Sequence, residues 1–346
     1  MVKSPSAPAV VLQCDSIVEL LKTLTIESVN STSQMNRGVI TVRRSDSLDL
    51  ALKVLTENDI SSCPVIDPKL GCMGLVDMFD IVAYLLAMFS KQQLEFTNSK
   101  QQNSGSAKML GMNFFKLNLD PVSVVINKSD DVETLCPVVT EIDSVHNLIQ
   151  LFAIGCHRVP VYSRPQSLKD SADRIPRLNR IISQTDVVLW LWNNQAFRSE
   201  IMKSGKKVED YYHANPKSVN QNTPTFEVLK LLHNNKISAV AVVDDRGNLK
   251  NEICTDSWKG TNEKNIDNIF EDVKTFLRYK QKKDLKKHEL AKCTLDTPIY
   301  DVWEMVATNR HHRVWVVDRK KLIGIISLVD LLRPCLSMSI GGDGQM

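Results

Sequence analysis

The sequence has no excess of charge of one sign and no long hydrophobic run. Its 346 residues include 43 Lys and Arg and 40 Asp and Glu, which gives a formal net charge of +3. A balance this even does not mark a dedicated nucleic-acid-binding protein, which carries a strong basic excess. The longest apolar stretch, residues 81–89, is far shorter than the roughly 18 residues that suggest a membrane span. We therefore expect a globular chain that does not enter a membrane.

The cysteines show no pattern that would form disulfides or bind zinc. All eight are scattered, with no CxxC pair and no cluster of Cys and His at zinc-ligand spacing. Reduced thiols of this kind are typical of cytosolic and nuclear proteins. The apolar run after residues 1–9 is broken at Gln13 and Asp15, so it is too short for the core of a signal peptide. The expected location is the cytoplasm or the nucleus.

The motifs of common catalytic sites are also missing. The sequence contains no GxxxxGK[ST] phosphate loop, no GxGxxG, no GxSxG and no HExxH. His311 and His312 are adjacent, so one helix face cannot present both to a metal. We expect no catalytic residue, no metal site and no enzymatic activity in this chain.

What the sequence does contain is an internal repeat, present in four copies. In the first copy, apolar residues recur at the spacing of one helix face, at Leu48, Ala51, Leu52 and Leu55. Asp46 stands where it could cap that helix. A short apolar strand at 60–67 follows, and then a second strand that leads into a helix at 74–82.

The other copies keep this order. The third and fourth begin at Thr223-Pro224 and Thr297-Pro298, where Thr is a good N-cap and Pro suits the first helical position. The repeats are assigned to residues 16–90, 113–196, 197–265 and 266–336. The polar composition of the rest predicts a linker at 91–112, tails at 1–15 and 337–346, and a mobile insertion at 163–179.

The repeats should pair, because one unit is too small to bury both faces of its strands. At the start of the first strand, copies two and four carry His157-Arg158 and His312-Arg313. Copies one and three carry Ser61-Ser62 and Ser238-Ala239 at the same position. This alternation indicates a two-repeat unit used twice.

On these residues the sequence resembles proteins with four cystathionine-β-synthase (CBS) domains. The HRVP and HRVW strands at 157–160 and 312–315 carry the resemblance, together with the GIISLVD ending at 324–330. The resemblance covers about residues 16–336. Within the family, the sequence is most similar to the gamma regulatory subunits of AMP-activated, or sucrose-non-fermenting, protein kinases.

The resemblance implies an α/β fold of α+β CBS repeats, in which four CBS motifs pair into two Bateman modules that form a disc. It also implies AMP, ADP or ATP in clefts between paired repeats, with no covalent cofactor. The chain would then report the adenine-nucleotide state of the cell to the catalytic and scaffolding subunits of a Ser/Thr protein kinase.

The resemblance also assigns roles to particular residues. In the fourth repeat, Asp330 would bind the ribose hydroxyls and Ser327 would help to hold ribose or phosphate. His312 and Arg313 would reach the phosphates. The chemistry agrees, since a carboxylate accepts hydroxyl hydrogen bonds and a guanidinium matches phosphate. The alternative is that Ser327 and Asp330 only cap a helix, which needs no ligand.

The second repeat carries the same set, in Asp186, Ser183, Arg158 and His157. A competent site there would be a departure from the kinase subunits, whose second repeat lacks the ribose-binding Asp. A competent site at Asp186 would therefore change which clefts hold a nucleotide.

The other two repeats lack part of the set. The first has Asp80 in the ribose position, but Asp77 replaces the expected Ser or Thr and would repel a phosphate. The third has Cys254 and Ser257 in the two positions, so its carboxylate is missing. By resemblance, Ser238 of the third repeat would line the adenine pocket of the adjoining site.

Two other functions stay open at this point. The degenerate repeats would also suit a CBS scaffold or interaction protein that regulates another enzyme. The basic region at 278–292 could contact nucleic acid, although only Tyr279 offers a base-stacking ring there. Nucleic acid is the less favoured partner.

Overall fold

The computed structural model describes residues 17–29, 38–81, 83–88, 117, 119–126, 137, 139–163, 177–259, 266–283 and 290–337. The predicted linker, most of the predicted insertion, part of the basic region and almost all of both predicted tails lie outside these residues. Four β-sheets are formed within the described residues.

The four sheets share one plan, in which the first strand runs parallel to the second and the second runs antiparallel to the third. The strands are β1 Val42–Arg43, β2 Ser62–Asp67, β3 Gly71–Asp77, β4 Val139–Thr140, β5 Arg158–Tyr162, β6 Leu178–Ser183, β7 His213–Ala214, β8 Ser218–Asn220, β9 Ala239–Val243, β10 Leu249–Cys254, β11 Lys292–Cys293, β12 Arg313–Asp318 and β13 Lys321–Ser327. Strand β7 is an addition, because it joins the fourth sheet alongside β13.

A helix connects the two parallel strands of each sheet, as parallel pairing requires. These helices are Leu48–Glu57, Val145–Ala153, Thr225–Asn235 and Ile299–Asn309. A helical segment follows each third strand: 78–81 with 83–88, Gln184–Asn193, the 3₁₀ turn Thr255–Trp258, and Leu328–Leu332. The other helices are Ile17–Thr23, Ser123–Ile126, Gln195–Lys203 and Val273–Lys283. Short 3₁₀ turns lie at Ile26–Ser28, Val208–Asp210, Ile266–Phe270 and Arg333–Leu336.

The predicted helix starts are displaced by one residue. Ser47 caps the first helix, because its hydroxyl accepts a hydrogen bond from Leu50 N at 3.2 Å. The prediction of Asp46 as the cap was wrong, since its carboxylate accepts from Arg43 N at 2.8 Å and closes the preceding turn. Pro224 and Pro298 are themselves the N-cap residues of their helices, with extended ψ angles of 132° and 138°.

The segment that precedes each of the first two sheets packs on the other one. Arg180 of β6 donates hydrogen bonds at 2.6 Å to the carbonyls of Val29 and Ile26, which precede the first sheet. In return, Leu48 N at the start of the first repeat's helix donates to Asp120 O at 3.0 Å. Repeats one and two are therefore linked by exchanged segments.

The same exchange joins repeats three and four. Ile299 N of the fourth repeat donates to Lys206 O at 2.9 Å, in the segment that precedes the third sheet. Val273 N, in the segment that precedes the fourth sheet, donates to Thr223 O at 3.0 Å. Each pair therefore forms one interlocked module, as the sequence alternation predicts.

The large hydrophobic clusters connect the pairs to each other. One cluster contains side chains from repeats one and three, such as Leu48, Val65, Leu229 and Val240. The other contains side chains from repeats two and four together with Phe197 and Trp303, whose rings lie 4.9 Å apart. Each cluster is therefore shared between the two halves of the chain.

A third, smaller cluster lies where the sheets of repeats three and four meet. It contains Ala241, Leu249 and Trp315, all of which are buried. Backbone bonds hold the same contact, since Leu249 N donates to Lys320 O at 2.9 Å. We call this contact the 3–4 seam.

Within the described residues, no helix is long and apolar enough to span a membrane. The six described cysteines form no disulfide with one another. Burial raises the pKa of Cys63, Cys293 and Cys335 to about 12, so these thiols stay protonated at neutral pH.

Candidate functional site

The strand register brings the predicted site residues of each repeat together. Arg158 lies directly opposite Ser183 across β5 and β6, and Arg313 lies opposite Ser327 across β12 and β13. Residues opposite each other in an antiparallel pair point to the same face of the sheet. The guanidinium of each His-Arg pair therefore starts beside the serine that begins the following helix.

Asp330 closes the start of the last helix and contacts a second segment as well. Its Oδ2 accepts hydrogen bonds from Ser327 N at 2.8 Å and Ser327 Oγ at 2.6 Å. Its Oδ1 lies 2.7 Å from Nε2 of His213. Asp330 thus caps the last helix, but capping occupies only one of its two oxygens.

His213 is a member of this site that the sequence did not indicate. It lies on β7, beside β13, with 62% of its side chain exposed. The close approach of β7 requires Gly324, since a Cβ there would lie 2.4 Å from Cδ2 of Tyr212. A glycine in the motif strand thereby admits the segment that carries His213.

Asp186 of the second repeat has the same capping geometry. Its Oδ2 accepts from Ser183 N at 2.9 Å and from Ser183 Oγ at 2.7 Å, and the residue is buried. The two repeats that carry a His-Arg pair therefore also share a carboxylate held in one orientation.

The first and third repeats differ at these positions, as their sequences indicate. In the first repeat the two carboxylates bond to each other's backbone: Asp80 Oδ2 accepts from Asp77 N at 2.9 Å and Asp77 Oδ1 accepts from Asp80 N at 2.8 Å. In the third repeat Ser257 Oγ accepts from Cys254 N at 3.0 Å, and only a 3₁₀ turn follows.

Arg313 lies on the 3–4 seam and is paired with a carboxylate. Its Nη1 is 3.1 Å from Oε1 of Glu252, and its Nη2 donates to Ser238 Oγ at 3.4 Å. The other oxygen of Glu252 accepts from Trp315 Nε1 at 2.6 Å. Ser238 and Glu252 belong to the third repeat, so both repeats of the module build the surroundings of Arg313.

Asp256 is the point where all four repeats meet. Ser61 of the first repeat donates to its Oδ1 at 2.5 Å, and Lys259 lies 3.8 Å from the same oxygen. Burial alone would raise the pKa of Asp256, but Lys259, the Ser61 hydroxyl, His312 and Arg158 together lower it. Arg158 of the second repeat's pair and His312 of the fourth repeat's pair therefore both interact with this carboxylate. We call the charged side chains around Asp256 the central cluster.

The two histidines of the His-Arg pairs are held neutral in this cluster. Burial, and then the charge of Arg313, lower the pKa of His312 to about 4. Burial and Arg158 also lower the pKa of His157, against the opposing effect of Asp77. At neutral pH both imidazoles can donate or accept a hydrogen bond without adding charge.

We expect the central histidines to make the folded protein less stable in mild acid. A histidine whose pKa is lowered by folding takes up a proton more readily when unfolded, so the free energy of unfolding rises with pH between the two pKa values. For His312 that window runs from about 4 to the ordinary 6.5. The melting temperature should therefore fall between pH 7 and pH 5, and less so in His312→Gln. His146→Gln, outside the cluster, is the control. An unchanged slope in His312→Gln would contradict this assignment.

Among the described residues, no group of three or more His, Cys, Asp or Glu side chains is placed to hold a metal ion. Two side chains that the sequence placed outside the motif also belong to this region. Glu252 bonds to Arg313, and Asp256 accepts a hydrogen bond from Ser61 and interacts electrostatically with His312 and Arg158. Each contacts a partner at least 60 positions away along the chain, so no local pattern marks it.

The strand plan and the motif positions match a known family. The family model described as CBS domain matches residues 26–87, 208–255 and 283–336. The chain contains CBS domains. The second repeat lies outside these matches, but its sheet has the same order β4-β5-β6 and the same helix start. The predicted fold of CBS repeats is confirmed.

A solved structure has a similar fold over most of the chain. Protein MJ1225 from Methanocaldococcus jannaschii, reported as a proposed archaeal homologue of g-AMPK, superposes with a TM-score of 0.65. It is 16% identical, and the match covers 90% of this chain and 99% of that chain. At this identity the likeness shows the fold alone.

The curated relatives are two yeast proteins and a short plant match. Protein SDS23 of Meyerozyma guilliermondii is 25% identical over 320 residues, which cover 82% of this CBS chain and 55% of the relative. Protein SDS23 of Candida albicans is 20% identical over 331 residues, which cover 88% of this chain and 50% of the relative. This chain thus spans about half the length of these relatives. The SNF1-related protein kinase regulatory subunit gamma-like PV42a of Arabidopsis thaliana is 35% identical over 60 residues, 17% of each chain.

Proposed function

We propose that this chain is a non-catalytic regulatory subunit that binds an adenine nucleotide at the 3–4 seam and controls a Ser/Thr protein kinase complex. The observation that carries the proposal is the arrangement around Ser327. Asp330 and Arg313 both flank this serine. Asp330 contacts His213, which precedes the third sheet, and Arg313 contacts Ser238 of the third repeat. The carboxylate and the guanidinium thus each contact a residue of the third repeat beside the same serine, which supports one shared site.

The chemistry of this seam suits a nucleoside phosphate. Asp330 can accept ribose hydroxyl hydrogens on Oδ1, which lies 2.7 Å from Nε2 of His213 in the structure. Arg313 can offer its planar donors to a phosphate oxygen, with the neutral imidazole of His312 as a further donor. A ligand that binds here bridges two repeats, so its binding energy would be coupled to the geometry of the module.

A second site of the same kind is proposed at Asp186 and Ser183, with His157 and Arg158. In the first repeat, Asp80 could contact a ribose, while Asp77 disfavours a phosphate. In the third repeat, Cys254 and Ser257 offer no carboxylate, so we propose no nucleotide there.

The kinase part of the proposal is supported by likeness alone. The fold resembles that of a proposed archaeal homologue of g-AMPK, and a 60-residue stretch resembles a plant gamma-like subunit of an SNF1-related kinase. Copurification of a Ser/Thr kinase with the tagged chain from its native cells would support it. Copurification with other enzymes, and none with a kinase, would contradict it.

Titration calorimetry of the whole chain tests nucleotide binding. We expect AMP to bind with a dissociation constant tighter than about 1 mM, a scale on which specific recognition is already weak. Guanosine monophosphate serves as the base control. Heat signals that fail to saturate with AMP, ADP and ATP alike would contradict the proposal.

A scaffold with altered ligand sites is the second candidate. It is favoured by Asp77 in the first repeat, by the missing carboxylate of the third, and by the ion pair between Glu252 and Arg313. Capture of the same partner, in the same amount with and without AMP, would support this candidate over the first.

A further inference from the structure

The central cluster holds balanced charge. Its cations are Arg158, Arg313 and Lys259, and its carboxylates are Asp77, Glu252 and Asp256. The two histidines add no positive charge at neutral pH, because burial lowers both of their pKa values. A site built to hold several phosphates would carry a clear excess of cations instead.

Two of the three cations already have anionic partners. Arg313 is 3.1 Å from Glu252, and Lys259 lies 3.2 Å from Asp59 and 3.8 Å from Asp256. Arg158 forms no ion pair with any described residue. Arg158 is therefore the cation of the cluster that no described carboxylate contacts directly, and it is the one most open to a ligand.

The carboxylate of Glu252 is held in position by two hydrogen-bond partners. One of its oxygens is bonded to Arg313 and the other accepts from the indole of Trp315 at 2.6 Å. Trp315 is buried in the 3–4 seam. The carboxylate therefore cannot leave Arg313 without breaking a second bond, so an incoming phosphate must share the guanidinium with it.

We propose that Glu252 is a specificity-determining residue, which limits the ligand at the 3–4 seam to a nucleoside monophosphate and rejects di- and triphosphates. The inference rests on the proposed function. A phosphate monoester carries about −1.5 to −2 charges near neutral pH, and each added phosphate brings more. Arg158 and a shared Arg313 can balance the first phosphate, but further phosphates meet the carboxylates of Glu252 and Asp256.

The test compares AMP and ATP, without magnesium, on the whole chain and on Glu252→Gln. Glutamine keeps the length of the side chain and an oxygen for Trp315 but removes the charge. We expect the wild-type chain to bind AMP at least tenfold more tightly than ATP, and the variant to lose most of this difference by binding ATP about tenfold more tightly. Glu304→Gln, an exposed glutamate on the Ile299–Asn309 helix, controls for net charge.

The outcomes separate the two proposals. If AMP binds but wild type binds ATP as tightly, or if Glu252→Gln changes AMP and ATP equally, this inference fails and the proposed function stands. If neither nucleotide binds wild type, both fail. A second readout needs no variant: raising the salt from 0.05 to 0.5 M should narrow the AMP–ATP difference, because ions screen repulsion. A difference that does not respond to salt would also overturn the inference.

Discussion

Asn in place of Asp330 is expected to weaken AMP binding at the 3–4 seam by about 100-fold. Two hydroxyl hydrogen bonds to a carboxylate, at about 1.5 kcal/mol or more each, would supply this difference. An amide can accept through only one of its two polar atoms, and that oxygen is needed for Ser327 N and Oγ. Titration calorimetry of the variant and of wild type under the same conditions measures the loss.

Ser144→Ala is the control for the loss of a helix cap. Ser144 caps the Val145–Ala153 helix by accepting a hydrogen bond from Asn147 N at 3.2 Å, and it belongs to no proposed nucleotide site. Both substitutions should therefore cost about 1 kcal/mol of unfolding free energy through the weakened cap. Only Asp330→Asn should remove the tightest binding event. Equal losses of affinity in both variants would show that the cap, and not a ribose contact, is what binding depends on.

Trp303→Ala is expected to have the largest effect on stability. The side chain is 2% exposed and packs edge-on against Phe197, in the cluster that joins repeats two and four. Truncation of a buried Trp typically costs about 3–5 kcal/mol, which is a large part of the stability of a domain. Urea unfolding followed by circular dichroism measures the change.

The neighbouring Glu304→Ala serves as the control for Trp303. Glu304 is exposed on the same helix, so its truncation should change the unfolding free energy by no more than about 0.5 kcal/mol. A loss below about 1 kcal/mol for Trp303→Ala would mean that this cluster does not hold repeats two and four together.

The fold could be predicted because the sequence patterns that specify it are local and occur several times along the chain. A helix-face spacing, a short apolar strand and a Ser-x-x-Asp start recur along the chain, and a pattern that recurs in register is more informative than one that occurs once. The pairing of Arg313 with Ser327 across two strands follows from the same pattern, because a hairpin sets the register. The caps of three helices were misplaced by one residue. Ser47 and not Asp46 caps the first helix, and Pro224 and Pro298 are the N-caps in place of the threonines that precede them.

The rest of the site depends on contacts that join distant positions. His213 reaches Asp330 only because its segment is exchanged between the repeats of one module. Glu252 reaches Arg313 only because the sheets of repeats three and four come into contact in the 3–4 seam. Neither residue belongs to the motif, and no spacing along the chain reports on such packing.

The shared hydrophobic clusters also determine how the chain can fold during synthesis. Repeats one and two leave the ribosome before the third and fourth repeats that cover their apolar helices exist. The cluster of repeats one and three cannot close before residue 277 has been translated, and the cluster of repeats two and four cannot close before the last repeat is complete. The first half of the nascent chain therefore exposes a large apolar surface until its partner repeats are made. This half is the part of the chain that most needs a ribosome-associated chaperone.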